Sequence, residues 1–135
     1  MIHLALDTSV AVPLLLRRHA DHDIVRAAVK DAKISMTGHS LAETYSVLTR
    51  LPGDARLDAA DAARLLSKGF APALLVAPAT LRDLPNLLAV LKVTGGAVYD
   101  AMVALSTRGT QATLLTRDRR AAATYSAMGV AFAFV

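Results

Sequence analysis

The sequence predicts an α/β domain in three layers, with a central parallel sheet of about five strands covered by helices on both faces. Three observations point there. Short apolar runs alternate with longer segments of helical character along all 135 residues. The runs are apolar at successive positions and not at every second one, the pattern of strands buried on both faces. Polar helix-start signals stand directly after the first and fourth runs, as Asp7-Thr8-Ser9 and Arg117-Asp118. Such alternation gives helices on either side of one parallel sheet.

Taken in order, Ile2-His3-Leu4-Ala5-Leu6 is the first strand, stopped by Asp7, and Val10 to Arg18 is the first helix. Pro13 is expected near its first turn, where a missing N–H costs little. A second helix starts at Asp21 or Asp23 and runs to about Lys30. Lys33 to Thr37 is the second strand, broken by Gly38-His39, and Leu41 to Leu51 is a helix ended by Pro52-Gly53. Asp58 to Lys68 has Ala and Leu on one side and Asp61 and Arg64 on the other, so it is a helix. Leu74 to Ala77 is the third strand, closed by Pro78. A helix from Thr80 or Asp83 reaches Lys92. Gly95-Gly96 separates it from a helix that carries Asp100 and ends near Arg108-Gly109. Ala112 to Thr116 is the fourth strand, a helix runs from Asp118 through Met128, and Gly129 suits its C′ position. Ala131 to Val135 is a terminal strand. With no repeat, linker or low-complexity tract, residues 1–135 form one domain.

Bulk properties narrow the function. The chain is 54% hydrophobic, which argues against intrinsic disorder, and its length supports a real core. It has no cysteine, which excludes disulfides, thiolate zinc sites and cysteine nucleophiles. The start lacks the pattern of a signal peptide, and the longest charge-free stretch, around Gly69 to Leu81, is too short to span a bilayer. The expectation is a cytoplasmic protein without a membrane partner. Net charge is +4 and most basic residues are arginines, a balance that favours phosphate-rich partners.

The chemistry centres on four carboxylates. Asp7 follows the first strand and Asp118 the fourth, so both overhang one crevice if those strands are neighbours. Glu43, the one glutamate in the chain, lies early in the helix after the second strand. Asp100 is a lone charge in the largely apolar segment Gly95 to Ala104, and it needs a hydrogen-bonding partner, a helix end or a cation. Each acid also has a plain reading. Asp7 and Asp118 suit N-caps, and Ser40-Leu41-Ala42-Glu43 matches a capping box. Carboxylates sharing a pocket repel unless protons or a cation neutralise them. Hard oxygen ligands without Cys select Mg²⁺ or Mn²⁺, which activate water and stabilise phosphoryl oxygens. Asp7 and Asp118 are the first choice as direct ligands; Glu43 and Asp100 could bind a second ion, hold water or orient the attacking water. Arg17, Arg18, Arg117, Arg119 and Arg120 are candidates for holding phosphate, although Arg119 and Arg120 point about 100° apart on a helix. Ser9, Thr8 and Thr116 offer hydroxyls. His3, His19, His22 and His39 show no ligand spacing.

These motifs together resemble the PIN-domain nucleases. They are Asp-Thr-Ser after strand one, Leu41-Ala42-Glu43-Thr44 after strand two, Tyr99-Asp100-Ala101 in a late helix and Thr116-Arg117-Asp118 after strand four. More narrowly, the chain is similar to the VapC toxins of bacterial toxin–antitoxin pairs over essentially its whole length. The resemblance implies an acidic catalytic quartet at Asp7, Glu43, Asp100 and Asp118, with Asp7, Asp100 and Asp118 on the metal and Ser9 and Thr116 as supporting hydroxyls. It further implies Mg²⁺- or Mn²⁺-dependent cleavage of RNA such as tRNA or rRNA, a homodimer, and inhibition by a cognate VapB-like antitoxin. Many relatives carry another acid where this chain has Arg120, so a tightly held second ion is not expected. Two further readings are a PIN nuclease of RNA processing without an antitoxin and a silent RNA- or protein-binding PIN module. A receiver-like signalling domain fits poorly, because strand three ends in Ala77-Pro78 and not in a phosphoacceptor Asp.

Overall fold

In the computed structural model, which describes residues 1–135, the central strand is β1 (His3–Leu6). It pairs in parallel with β2 (Lys33–Met36) on one side and β3 (Thr113–Thr116) on the other, and β3 pairs in parallel with β4 (Phe132–Phe134). The order β2-β1-β3-β4 reverses direction at β1 and β3. A crevice therefore opens beyond the carboxyl ends of those two strands. No helix is long and apolar enough to cross a membrane.

Alternation along the strands builds the three layers. Ala5 and Leu114 face a core made with Ala101, Val103, Ala104 and Leu105 of α7 (Ala97–Thr107) and Ala121 and Tyr125 of α8 (Arg119–Ala127). Leu6 and Leu115 face the opposite core, with Val10 of α1 (Thr8–Leu15) and Val25 and Val29 of α2 (His22–Val29). Leu6 is wholly buried, which contributes about 1.5–3 kcal/mol. The remaining helices are α3 (Gly38–Thr49), α4 (Ala59–Ser67), α5 (Pro78–Arg82) and α6 (Leu84–Val90).

The sheet has four strands where the sequence predicts about five. The segment expected as strand three makes a single bridge, Leu74 to Thr37. Its N–H groups reach β2 at Ala71 to Ile34 (2.8 Å) and Leu74 to Met36 (2.9 Å), three residues of one chain against two of the other. The extra residue on this side puts the two chains out of step, so no regular ladder forms. Proline divides the helix expected up to Lys92, because Pro85 cannot donate to the preceding turn and the chain forms α5 and α6. Pro13 is in the second turn of α1, which ends two residues later at Leu15. Gly38-His39 does not break the chain before α3 but forms its first turn. The Thr37 hydroxyl caps it, accepting the Ser40 N–H (3.1 Å).

Candidate active site

The crevice holds a cavity of about 190 Å³ lined by Asp7, Glu43, Asp100 and Asp118, together with Thr8, Ser9, Ser40 and Tyr125. All four acids singled out from the sequence meet there. No lysine, arginine or histidine lines it. Each acid arrives by a different route. Asp7 leaves β1 in an extended conformation and Asp118 leaves β3 likewise. Because β1 and β3 are neighbours, those two side chains share one edge. Asp100 comes in from the first turn of α7, which packs against α8 and α3, and Glu43 projects from the second turn of α3.

Asp7 is 5% exposed and stands at the N-cap position of α1 without capping it. Its carboxylate instead accepts the Ser9 hydroxyl on Oδ1 (2.5 Å) and the Tyr125 hydroxyl on Oδ2 (2.9 Å). Burial pushes its pKa up, and the hydroxyls of Ser9, Thr116 and Tyr125 oppose that shift. Burial and the adjoining Asp7 raise the Tyr125 phenol far above its ordinary range, so it remains a donor. Ser9 Oγ also accepts the Arg117 N–H (2.8 Å) and lies 3.4 Å from Thr116 Oγ1, which accepts the Asp118 N–H (3.1 Å). Asp118 does cap its helix, with Oδ1 on the Arg120 N–H (2.9 Å).

Asp100 differs from both. It is half-buried, and no hydrogen bond reaches its carboxylate. Desolvation raises its pKa, followed by the charges of Asp118, Asp7 and Glu43, with His39 opposing. Glu43 is exposed, and its one partner is His39 Nε2 (3.1 Å). The capping-box pattern at Ser40 to Glu43 is therefore not used, because Thr37 already caps α3.

The donor set suits a hard divalent cation: anionic oxygens, one carboxylate unpartnered, with no lysine or arginine in the lining to balance them. No three acidic or histidine side chains are drawn together into a closed cluster. An ion such as Mg²⁺, which keeps several waters and uses one or two carboxylates, fits that spacing better than one needing an all-protein cage.

The arginines divide. Arg117 turns away from the cavity and pairs with Asp21 (2.7 Å). Arg119 is exposed and stacks on the Phe134 ring (5.0 Å). Arg17 and Arg120 are exposed, and neither lines the cavity. Sequence reasoning misses Tyr125 and His39. Tyr125 lies seven residues after Asp118, two turns along the same face of an alanine-rich helix, and that spacing is the one trace of it in the sequence. His39 precedes Glu43 by four residues, the helical pair spacing, and it shows once α3 is known to start at Gly38.

Residues 4–126 match the family model for the PIN domain. The chain is 54% identical over 127 residues to Ribonuclease VapC27 of Mycobacterium tuberculosis, covering 94% of this chain and 93% of that one. It is 38% identical over 128 residues to Ribonuclease VapC40 of the same species, covering 94% and 95%. A crystal structure of VapBC2 from Rickettsia felis, bound to a DNA fragment from its promoter, shares the fold. Its TM-score is 0.65 at 14% identity, over 100% of this chain and 99% of that one. The four-carboxylate crevice thus sits in a chain that belongs to the PIN-domain family, on its VapC ribonuclease branch.

Proposed function

We propose that this chain is a Mg²⁺- or Mn²⁺-dependent endoribonuclease, the toxin of a toxin–antitoxin pair, which hydrolyses phosphodiesters of tRNA or rRNA in the cytoplasm. The observation that carries the reading is Asp100, half-buried and unpartnered among three further carboxylates in a cavity without a basic side chain. The ribonuclease names of the relatives support RNA as substrate, and the toxin–antitoxin complex with the same fold supports a VapB-like antitoxin as partner. A homodimer belongs to the same reading.

Asp7, Asp100 and Asp118 would hold the ion. When bound, it acidifies coordinated water and offsets charge on phosphoryl oxygens. The protein's own part is positional. Tyr125 and Ser9 fix both oxygens of Asp7, so this carboxylate cannot swing away. Asp118 keeps one oxygen on the Arg120 N–H and offers the other to the cavity. Glu43, at the solvent side and steadied by His39, would orient the attacking water and accept its proton. Ser9 and Thr116 hold the β1 and β3 ends together, and Arg17, Arg119 and Arg120 would meet phosphates outside the cavity.

The test is cleavage of labelled total tRNA and rRNA by the purified chain with Mg²⁺, Mn²⁺ or EDTA, beside Asp100→Asn. Metal-dependent cutting at discrete sites, lost in the variant, is expected. Equal cutting in EDTA, or by Asp100→Asn, would refute the assignment.

A further inference from the structure

We infer that Tyr99, backed by His39, is a stacking shelf at the rim of the carboxylate cavity. It would take one unpaired nucleobase of the RNA beside the scissile phosphate. The inference rests on the ribonuclease reading and deepens it, by assigning a base-binding element to this site.

Tyr99 is 57% exposed, a large solvent-facing fraction for an aromatic ring. It is not a loose side chain. Its ring lies nearly parallel to the His39 imidazole, with centroids 5.4 Å apart and planes 13° apart. His39 is itself anchored through Nε2 to Glu43 (3.1 Å), and Tyr99 is the chain neighbour of Asp100. The two aromatic residues thus belong to two different helices, α3 and α7, and each is tied to an acid that lines the cavity. His39 stacks against the phenol ring with an offset, and more than half of Tyr99 stays open to solvent. A flat, pre-oriented aromatic face beside a phosphate-cleaving site has the geometry for base stacking.

Stacking also selects the conformation of the RNA. In an A-form duplex the base faces are covered by their neighbours, whereas loops, bulges and single strands can splay a base onto an aromatic ring. The π-face is common to all four bases, so the shelf selects unpaired structure without choosing a sequence. A base seated there would lie beside the histidine that holds Glu43 and next along α7 to Asp100.

The chain contains no tryptophan, so Tyr99→Trp installs a single fluorescent reporter at the shelf. In an Asp7→Asn background that prevents turnover, this protein is titrated with a single-stranded RNA oligomer and with the same sequence as a duplex. Quenching by the single strand and little by the duplex is expected. Steady-state cleavage by Tyr99→Leu and Tyr99→Phe provides the second readout. Leu should raise KM about tenfold or more, and Phe should restore it, because stacking needs the ring and not the hydroxyl. If the unmodified chain cuts RNA but Tyr99→Leu keeps its KM, or the duplex quenches the indole reporter as well as the single strand does, the shelf is overturned and the nuclease reading stands. If the unmodified chain cuts no RNA under any metal while single strands still quench the reporter, the nuclease reading fails and the shelf survives as a binding element. A melting temperature for each variant guards against a loss that reflects unfolding.

Discussion

The two walls of the crevice are built on opposite principles. The floor, at the ends of β1 and β3, is cross-linked: Asp7, Ser9, Thr116, Arg117 and Asp118 exchange hydrogen bonds with one another, and Tyr125 closes the set from α8. The wall from α3 and α7 is left open, with Asp100 unpartnered and Glu43 held only by the rim histidine. Interactions already satisfied within the protein contribute to the fold, whereas an uncompensated charge in a partly desolvated cavity costs stability until a ligand arrives. The floor therefore serves the fold as well as presenting its two carboxylates, whereas the open wall belongs mainly to function.

Removing the charge of the open wall should break this division most sharply. Asp100→Asn keeps the shape of the side chain and relieves repulsion from Asp118, Asp7 and Glu43. Cleavage should fall by about a thousandfold, as loss of several kcal/mol of metal-assisted stabilisation implies. Thermal unfolding of the metal-free protein should meanwhile move up, not down. A variant that is both inactive and less stable would mean that Asp100 serves the fold.

Touching the floor should have the reverse effect. Tyr125→Phe leaves Asp7 Oδ2 buried without its donor, which costs about 1–3 kcal/mol of stability. For a chain of this length, that is a fall in melting temperature of about 3–10 °C. Activity should drop less than in Asp100→Asn, since the carboxylate itself remains. A Tyr125→Phe protein with unchanged unfolding would show that the phenol is not needed to hold Asp7.

A smaller effect follows from pH. Asp7 and Asp100 have folded-state pKa values above their ordinary 3.8, so the folded state favours their protonated forms. Their stabilising contribution is complete below the ordinary carboxylate range and is lost as pH rises through the elevated values. In EDTA, the stability advantage of Asp100→Asn over the original chain should accordingly be near zero around pH 4 and grow toward pH 7. Mg²⁺ at about a hundredfold excess over its dissociation constant should stabilise the original chain at pH 7 by about 2.7 kcal/mol and the variant by less. An advantage that is the same at both pH values would sever the link between Asp100 and charge repulsion.

How much of this could be read from the residues depends on whether the signal is local. Asp7 and Asp118 stand where apolar strands end, so their convergence followed from the parallel sheet, and β1 and β3 are indeed neighbours. Asp100 is different, because its place depends on how α7 packs, and small residues such as Ala101, Ala104 and Ala121 permit that approach without announcing it. Leu74 to Ala77 has the composition of a strand, but an extra residue between Ala71 and Leu74 puts it out of step with β2 and leaves a single bridge to Thr37. At Gly38-His39 the breaker reading lost to Thr37, whose hydroxyl starts α3 three residues earlier than expected and brings His39 onto the same helix as Glu43. Tyr125 was hidden for a plainer reason, since a tyrosine in an amphipathic helix looks like core until its hydroxyl finds a carboxylate 118 positions away.

Arg117 sharpens the comparison with the smallest expected change. Its side chain leaves the crevice and joins the β3–α8 turn to the start of α2 through Asp21, at 2.7 Å with both partners partly exposed. A pair so placed contributes at most about 1 kcal/mol. Against it stands Nη1, buried without any hydrogen-bond partner, a liability that removing the guanidinium relieves. The two terms oppose, so Arg117→Gln should shift stability by less than about 1 kcal/mol. It should also leave the salt dependence of RNA binding unchanged, because a guanidinium committed to Asp21 releases no counterions from RNA. Arg120→Gln is the control from the exposed set, and it should reduce the slope of log affinity against log salt by about 1 if it meets a phosphate. Should Arg117→Gln reduce that slope instead, its pairing with Asp21 gives way when RNA binds, and part of the floor belongs to the substrate.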